Sequence, residues 1–181
     1  MNYATMQEGL LWQAFKQSDA LALGEIYERF VNELYNYGYH FVMDAGRVQD
    51  AIQDVFADLW RTREHLSDTT SVKYYLFCCI RRRLGRKNDF AGLTTAWIDD
   101  EETGMHTDSA EMVMIRVEES VQQMQRLQQA IAALPFRQQE VIRLRFYDDF
   151  SWEEIAGILQ INEQSVRNLV QRAVLKLRQL C

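Results

Sequence analysis

Near the end of the chain, the segment EQSVRNLVQRAVLKLRQL carries Gln164, Arg167, Asn168, Gln171 and Arg172 at spacings that put them on one side of a helix. Amide and guanidinium groups so placed can hydrogen-bond base edges in a DNA major groove or hold backbone phosphates. On the other side Val166, Leu169, Val170, Ala173, Val174, Leu177 and Leu180 recur at three- and four-residue steps, which predicts one buried stripe. The preceding segment, SWEEIAGIL, reads as a shorter helix. Ser151 and Glu154 form an S-x-x-E capping box at its start, and Asn162 is placed to cap the helix that follows. Ala156 and Gly157 are small where two crossing helices need close approach, and Ile155, Ile158, Leu159 and Ile161 supply core contacts. Two helices meeting at a QIN joint make the pattern of a DNA-reading helix-turn-helix. The competing reading is a helical hairpin that packs in an all-helical protein and touches no nucleic acid.

A second concentration of cations lies between Lys73 and Lys87, where Lys73, Arg81, Arg82, Arg83, Arg86 and Lys87 occur with no acidic residue among them. Tyr74, Tyr75 and Phe77 are interleaved with them. Aromatic faces beside cations suit the capture of unstacked bases in single-stranded nucleic acid. The alternative is that these aromatics belong to the core and the arginines end a solvated helix.

These elements sit in a chain of 181 residues with one proline and eight glycines, long stretches of which repeat on a helical period. An all-α fold in two small helical domains is expected. Ser18 or Asp19 caps a helix bearing Leu21, Leu23, Ile26, Tyr27, Phe30, Val31 and Leu34, and Asp44 caps the next. In that next helix Val48, Ala51, Ile52, Val55, Phe56, Leu59 and Trp60 form a three-four repeat. Its polar side carries Asp50, Gln53, Asp54, Asp58 and Arg61. Ahead of these, Leu10, Leu11, Ala14 and Phe15 suggest a further short helix. The period fails between Asn88 and Ser109, where Gly92, Gly104 and the run Asp99, Asp100, Glu101 and Glu102 predict a flexible acidic linker. The expected divisions are therefore 1–87, a linker at 88–109, and 110–181 ending in the helix-turn-helix, with Pro135 at the first position of a helix.

Composition narrows the function. The 20 Lys and Arg stand against 26 Asp and Glu, a net charge of −6. That is the wrong sign for a protein that holds DNA unaided, because nonspecific phosphate affinity follows a basic surface. Either the positive charge is local or a partner helps. Cys78, Cys79 and Cys181 form neither a disulfide framework nor a zinc spacing, and His40, His65 and His106 are isolated. No glycine-rich phosphate loop is present. No enzyme activity, cofactor or metal site is expected. No stretch approaches membrane-spanning length and no export signal opens the chain, so a cytoplasmic protein without membrane insertion is expected.

Three segments together resemble the small two-domain sigma factors of bacterial RNA polymerase, the extracytoplasmic-function group of the sigma-70 family. They are RVQDAIQDVFADLW, SVKYYLFCCIRRRLGRK and the stretch from ALPFRQQEV through the helix-turn-helix, in which Leu134, Pro135, Gln139, Val141, Tyr147, Glu154, Ile155, Ala156, Val166 and Arg172 stand where the family pattern has them. The resemblance implies a dissociable initiation factor that directs core RNA polymerase to promoter DNA. It implies that Asp50, Gln53, Asp54, Asp58 and Arg61 face the polymerase, whose β′ clamp helices and β flap are the docking partners, and it leaves room for an anti-sigma partner. It implies that Lys73, Tyr74, Arg81, Arg82 and Arg83 approach the melted minus-ten strand. It also implies that Glu163, Gln164, Ser165, Arg167, Asn168 and Arg172, with Gln171 beside them, read the minus-thirty-five element. Arg82 departs from the family, many members of which carry asparagine at that position. The rival readings are a stand-alone helix-turn-helix regulator, which would need a receiver or sensor domain in the N-terminal half, and an anti-sigma or adaptor protein, which would leave both basic surfaces without a use.

Overall fold

The structure, a computed structural model, describes residues 3–85 and 124–180. The expected linker and the start of the second division lie outside the described residues, as do Arg86, Lys87 and Cys181. The chain divides into two compact units, the first centred on the helices up to Leu84 and the second on those from residue 124 onward, with Ala156–Gln160 grouped with the first. Among the described residues every regular element is helical, and no helix is long and apolar enough to cross a membrane.

The first unit contains α1 (Glu8–Lys16), α2 (Ala20–Val42), α3 (Ala45–Thr62) and α4 (Val72–Leu84), with short 3-10 turns at Tyr3–Thr5 and Arg63–His65. Each of the three long helices starts on a side chain that satisfies backbone N–H groups the helix cannot. Asp19 accepts from the N–H groups of Leu21 and Ala22, Asp44 from that of Arg47 at 3.0 Å, and Ser71 from that of Tyr74 at 3.1 Å. Glu8 adds a fourth cap from a distance, accepting from the Val72 N–H at 2.9 Å and so tying α1 to the start of α4. The Trp12 indole donates to the Ser67 carbonyl at 3.0 Å and pins the α3–α4 connection. With these ends fixed, the three-four repeats meet in one core of Leu11, Trp12, Phe15, Ile26, Leu34, Val48, Ile52, Leu59, Leu76, Phe77 and Ile80, all buried. Three members of this unit's expected stripes are exposed: Leu10 is 56%, Leu21 70% and Tyr27 41% exposed, although Leu11 and Ala22, beside the first two, are fully buried.

In the second unit a helix over 124–132, here α5, leads to α6 (Phe136–Phe146), α7 (Trp152–Leu159) and α8 (Glu163–Leu180). Pro135 is the residue before α6 rather than its first member, with an extended ψ of 144°. The fully buried Gln139 amide donates to the carbonyls of Ala132 at 3.1 Å and Leu134 at 2.8 Å, closing the end of α5 onto α6. Both halves of the capping box are present: Ser151 Oγ accepts from the Glu154 N–H at 3.2 Å, and Glu154 accepts from the Ser151 N–H at 2.9 Å. Asn162 accepts from the Ser165 N–H at 2.8 Å, and Gln160 makes the turn in left-handed backbone at φ 55°. The α8 stripe, which packs on α6, is buried over only part of its length. Val166, Val170 and Ala173 are buried, Leu169, Val174 and Leu177 are half-buried, and Leu180 is 49% exposed. A helix of 18 residues is about 27 Å long, longer than the helices beneath it.

Gly38 marks the closest approach in the first unit. A Cβ there would lie 2.9 Å from Val48 Cγ1 and 3.1 Å from Leu84 Cδ1, whereas one at Gly24, in the same helix, meets nothing within 4 Å. Overpacking costs about 1–3 kcal/mol and the helix propensity of alanine returns about 0.5–1 kcal/mol. Gly38→Ala should therefore lower the stability measured by urea unfolding by about 1–2 kcal/mol, and Gly24→Ala should raise it by about 0.5–1 kcal/mol. Equal shifts at the two positions would show that Val48 and Leu84 yield freely.

Candidate nucleic-acid interface and docking face

On α8 the reading candidates share one open face: Glu163, Gln164, Arg167, Asn168, Gln171 and Arg172 are exposed, and Ser165 is half-buried at the turn. Two contacts organise that face. Gln164 Nε2 donates to Asn168 Oδ1 at 3.1 Å, so two amides one turn apart stand in a fixed relation. Arg167 Nη2 lies 3.1 Å from Glu163 Oε2, and its guanidinium sits 5.5 Å from the centre of the Trp152 ring. Arg145 lies 4.9 Å from the centre of the same ring and donates to the Phe150 carbonyl at 2.8 Å. Trp152, the first residue of α7, is thus a platform for two arginines. Sequence reasoning missed it, because the contact joins residues of three helices and leaves no periodic trace. Lys176, further along α8, donates to the Ala133 carbonyl at 3.2 Å.

On α4 the run of cations is divided by its own fold. Lys73 pairs with Glu33 at 2.7 Å and lies over the Phe77 ring at 5.9 Å. Arg81 lies over the Phe41 ring at 5.5 Å. Arg83 reaches back to α3, with Nη1 2.5 Å from Asp54 Oδ2 and Nη2 2.5 Å from Asp58 Oδ2. Arg82 is exposed and makes no ion pair among the described residues. Of the interleaved aromatics, Phe77 is fully buried and packs on Tyr37, and Tyr75 packs on Trp12 with ring centres 5.2 Å apart. Burial, with Cys79 alongside, pushes the Tyr75 hydroxyl up to about 12. Burial likewise raises the Cys79 thiol, against a hydrogen bond to Tyr75 that favours the thiolate. Phe77 therefore belongs to the core, while Tyr75 is half-buried against Trp12 and lines a pocket with Val55 and Leu59, and Tyr74 is half-buried as well. It stands in the first turn of α4, its N–H held by Ser71.

The α3 face is acidic and open. Asp50, Gln53, Asp54 and Arg61 are exposed and Asp58 is half-buried. Asp58 is spanned on both sides, Oδ1 by Arg61 at 2.5 Å and Oδ2 by Arg83. Hydrogen bonds to Asp54 and then to Asp58 hold the Arg83 guanidinium even more firmly protonated than usual. Beside this network a pocket of about 210 Å³ is lined by Val55, Leu59, Thr62, Tyr75, Cys79 and Arg82, with Asp58 and Arg83 at its edge. The structure thus brings two groups that sequence reasoning kept apart, the α3 carboxylates and the α4 arginines, into a single cluster.

Fold and site define a helical nucleic-acid-binding protein that carries a helix-turn-helix reader in one unit and an acidic helix beside a cationic one in the other. Residues 26–87 match sigma-70 region 2, and residues 124–177 match sigma-70, region 4. The ECF RNA polymerase sigma factor RpoE of Cereibacter sphaeroides is 26% identical over 163 residues, a span of 89% of this chain and 87% of that protein. The fold is similar to that of CnrH, solved in complex with the cytosolic domain of CnrY, with a TM-score of 0.64, 19% identity and 96% of each chain covered. It is also similar to that of the sigma factor RpoE from Bartonella quintana, solved with the anti-sigma factor NepR, with a TM-score of 0.53, 21% identity and 93% and 96% of the two chains covered. The chain belongs to the sigma-70 family of transcription initiation factors, in its extracytoplasmic-function group. Members of that family direct RNA polymerase to promoters and contribute no catalysis of their own.

Pairing with Arg83 changes what a substitution on α3 does. Asp54→Arg sets a second guanidinium against Arg83, so it should cost about 1 kcal/mol of stability, whereas Asp50→Arg on the same exposed face should stay within about 0.5 kcal/mol of the parent. Urea unfolding at low and high salt checks this. The Asp54→Arg deficit should shrink as salt rises, and an equal effect of the two substitutions would mean that the Arg83 pairs contribute nothing in solution.

Proposed function

We propose that this protein is a dissociable initiation factor whose three faces divide the work: α3 docks on core RNA polymerase, α4 captures the melted minus-ten strand and α8 reads the minus-thirty-five element. The observation that carries this reading is the capped helix-turn-helix with its open face of amides and arginines, in a chain that matches both region 2 and region 4 of the family. In this reading residues 1–87 bind polymerase and open the promoter, 110–181 read it, and 88–109 join the two. Asp50 and Gln53 are the docking groups left open to a partner, with Asp54, Asp58 and Arg61 beside them. The docking surfaces on the polymerase are the β′ clamp helices for α3 and the β flap for the second unit. Arg82, with Lys73, Tyr74 and Arg81, meets the melted strand. Glu163, Gln164, Ser165, Arg167, Asn168, Gln171 and Arg172 meet the duplex. The protein works in the cytoplasm and makes and breaks no covalent bond, since the chemistry stays with the polymerase. Both structural neighbours were solved with a protein bound, the cytosolic domain of CnrY in one case and the anti-sigma factor NepR in the other, which supports an anti-sigma partner here too.

The charge balance supports dependence on polymerase. A chain of net charge −6 with few unpaired cations on each DNA face holds promoter weakly alone. Two weak contacts become one strong one when a third body fixes their separation, because the second then forms at a high effective concentration. Promoter affinity measured with and without core polymerase separates this reading from a stand-alone regulator: specific binding should need the core, and tight specific binding by the free chain would favour the regulator. Within the holoenzyme, Arg167→Ala should cost about 1–3 kcal/mol on a matched promoter and relax preference at one base pair. An equal loss on every sequence would make Arg167 a phosphate contact.

A further inference from the structure

One arginine of the α4 run does not fit the role its neighbours have. Arg83 sends one nitrogen to Asp54 and the other to Asp58, residues four apart on α3 and so one turn apart along the helix. Two carboxylates at that spacing repel each other, and a planar guanidinium is the side chain able to bridge both while keeping its charge. Asp58 is then used on both oxygens, Oδ1 by Arg61 and Oδ2 by Arg83, whereas Asp54, exposed like Asp50 and Gln53, is held through Oδ2. An arginine so committed has little left for a phosphate, and Arg82, one residue earlier, is exposed with no ion pair among the described residues.

We propose that Arg83 is a positioning residue of the polymerase-docking face, holding Asp54 and Asp58 in register for the partner, and is not a contact to the melted strand. This rests on the reading of α3 as the docking face. It separates two neighbouring arginines by function: Arg82 meets nucleic acid and Arg83 shapes a protein interface. It also makes that interface depend on a residue of α4, so a change in the strand-capturing helix is felt in polymerase binding.

The test uses the full chain and core polymerase, with two readouts: affinity for the core, and the salt dependence of holoenzyme affinity for a pre-melted promoter fork. Arg83→Gln should weaken core binding about two- to tenfold, the size expected for losing two partly exposed ion pairs. Arg83→Lys should fail to restore it, since a single ammonium cannot bridge both carboxylates. In an Asp54→Asn, Asp58→Asn background, Arg83→Gln should have no further effect, a non-additivity that a general loss of stability would not produce. The fork should keep its full salt slope in Arg83→Gln holoenzyme and lose about 0.7 of a unit in Arg82→Gln holoenzyme, one single-strand phosphate contact. Core binding that is unchanged or tighter in Arg83→Gln, or a salt slope reduced as in Arg82→Gln, overturns the proposal. Asp50→Arg tells that failure apart from failure of the docking reading: if it too leaves core binding intact, α3 is not the docking face, and if it alone weakens binding, only the role of Arg83 is wrong.

Discussion

Among the described residues, pairing with carboxylates decides which cations are left open, and that constraint shapes the α4 and α8 faces. With 20 Lys and Arg against 26 Asp and Glu, the chain repels a polyanion at long range. Attraction has to come from cations that the fold has not already neutralised. On α4, Lys73 is given to Glu33 and Arg83 to Asp54 and Asp58. On α8, Lys176 is given to a backbone carbonyl. Surface pairs of this kind are worth about 0.2–1 kcal/mol each, so their consequence is orientation more than stability. The fold assigns each cation a direction, and a few, Arg82, Arg167 and Arg172 among them, are left exposed.

The parts of this arrangement that are local in sequence could be read from it. Asp19, Asp44, Ser71, Ser151 with Glu154, and Asn162 all bond to backbone two or three residues away. Of these, all but Ser71 were legible as caps in the residue order, so helix starts and the helix-turn-helix joint could be anticipated. The three-four repeats gave the core face of α3 for the same reason. What a repeat does not contain is the length of the neighbour it packs on. Leu21 and Leu180 follow the period and are still exposed, while Ala22 beside Leu21 is fully buried, so the period alone does not say which apolar positions a neighbour reaches.

Long-range side-chain partners were not legible at all. Arg83 and Asp54 are 29 residues apart, and nothing in RRRLGRK says that its third arginine turns back while its second turns out. The same holds for the aromatics between those cations: alternation with arginine is compatible with a stacking platform and with a core, and packing against Tyr37 decides for the core at Phe77 while Tyr75 stays half-buried against Trp12. Resemblance to a family assigns roles by position, and position alone would have grouped Arg82 with Arg83. The ion pairs divide them.

On the proposed reading of α8, few cations have to suffice for recognition. A free arginine side chain loses about 2 kcal/mol of rotamer freedom when it is fixed on a base. Arg167 has surrendered part of that already, between the Trp152 ring and the Glu163 carboxylate. Glu163 uses one of its nitrogens, and the other N–H groups of the guanidinium remain for a guanine edge. Pairing with Glu163 also offsets the charge that would draw Arg167 to any phosphate. Such an arginine gives up indiscriminate attraction and keeps directional donors, so in the proposed role its contribution would be discrimination between sequences. Strength of binding then has to come from elsewhere, and for a chain of this net charge the remaining source is a protein partner that holds the reader against the groove.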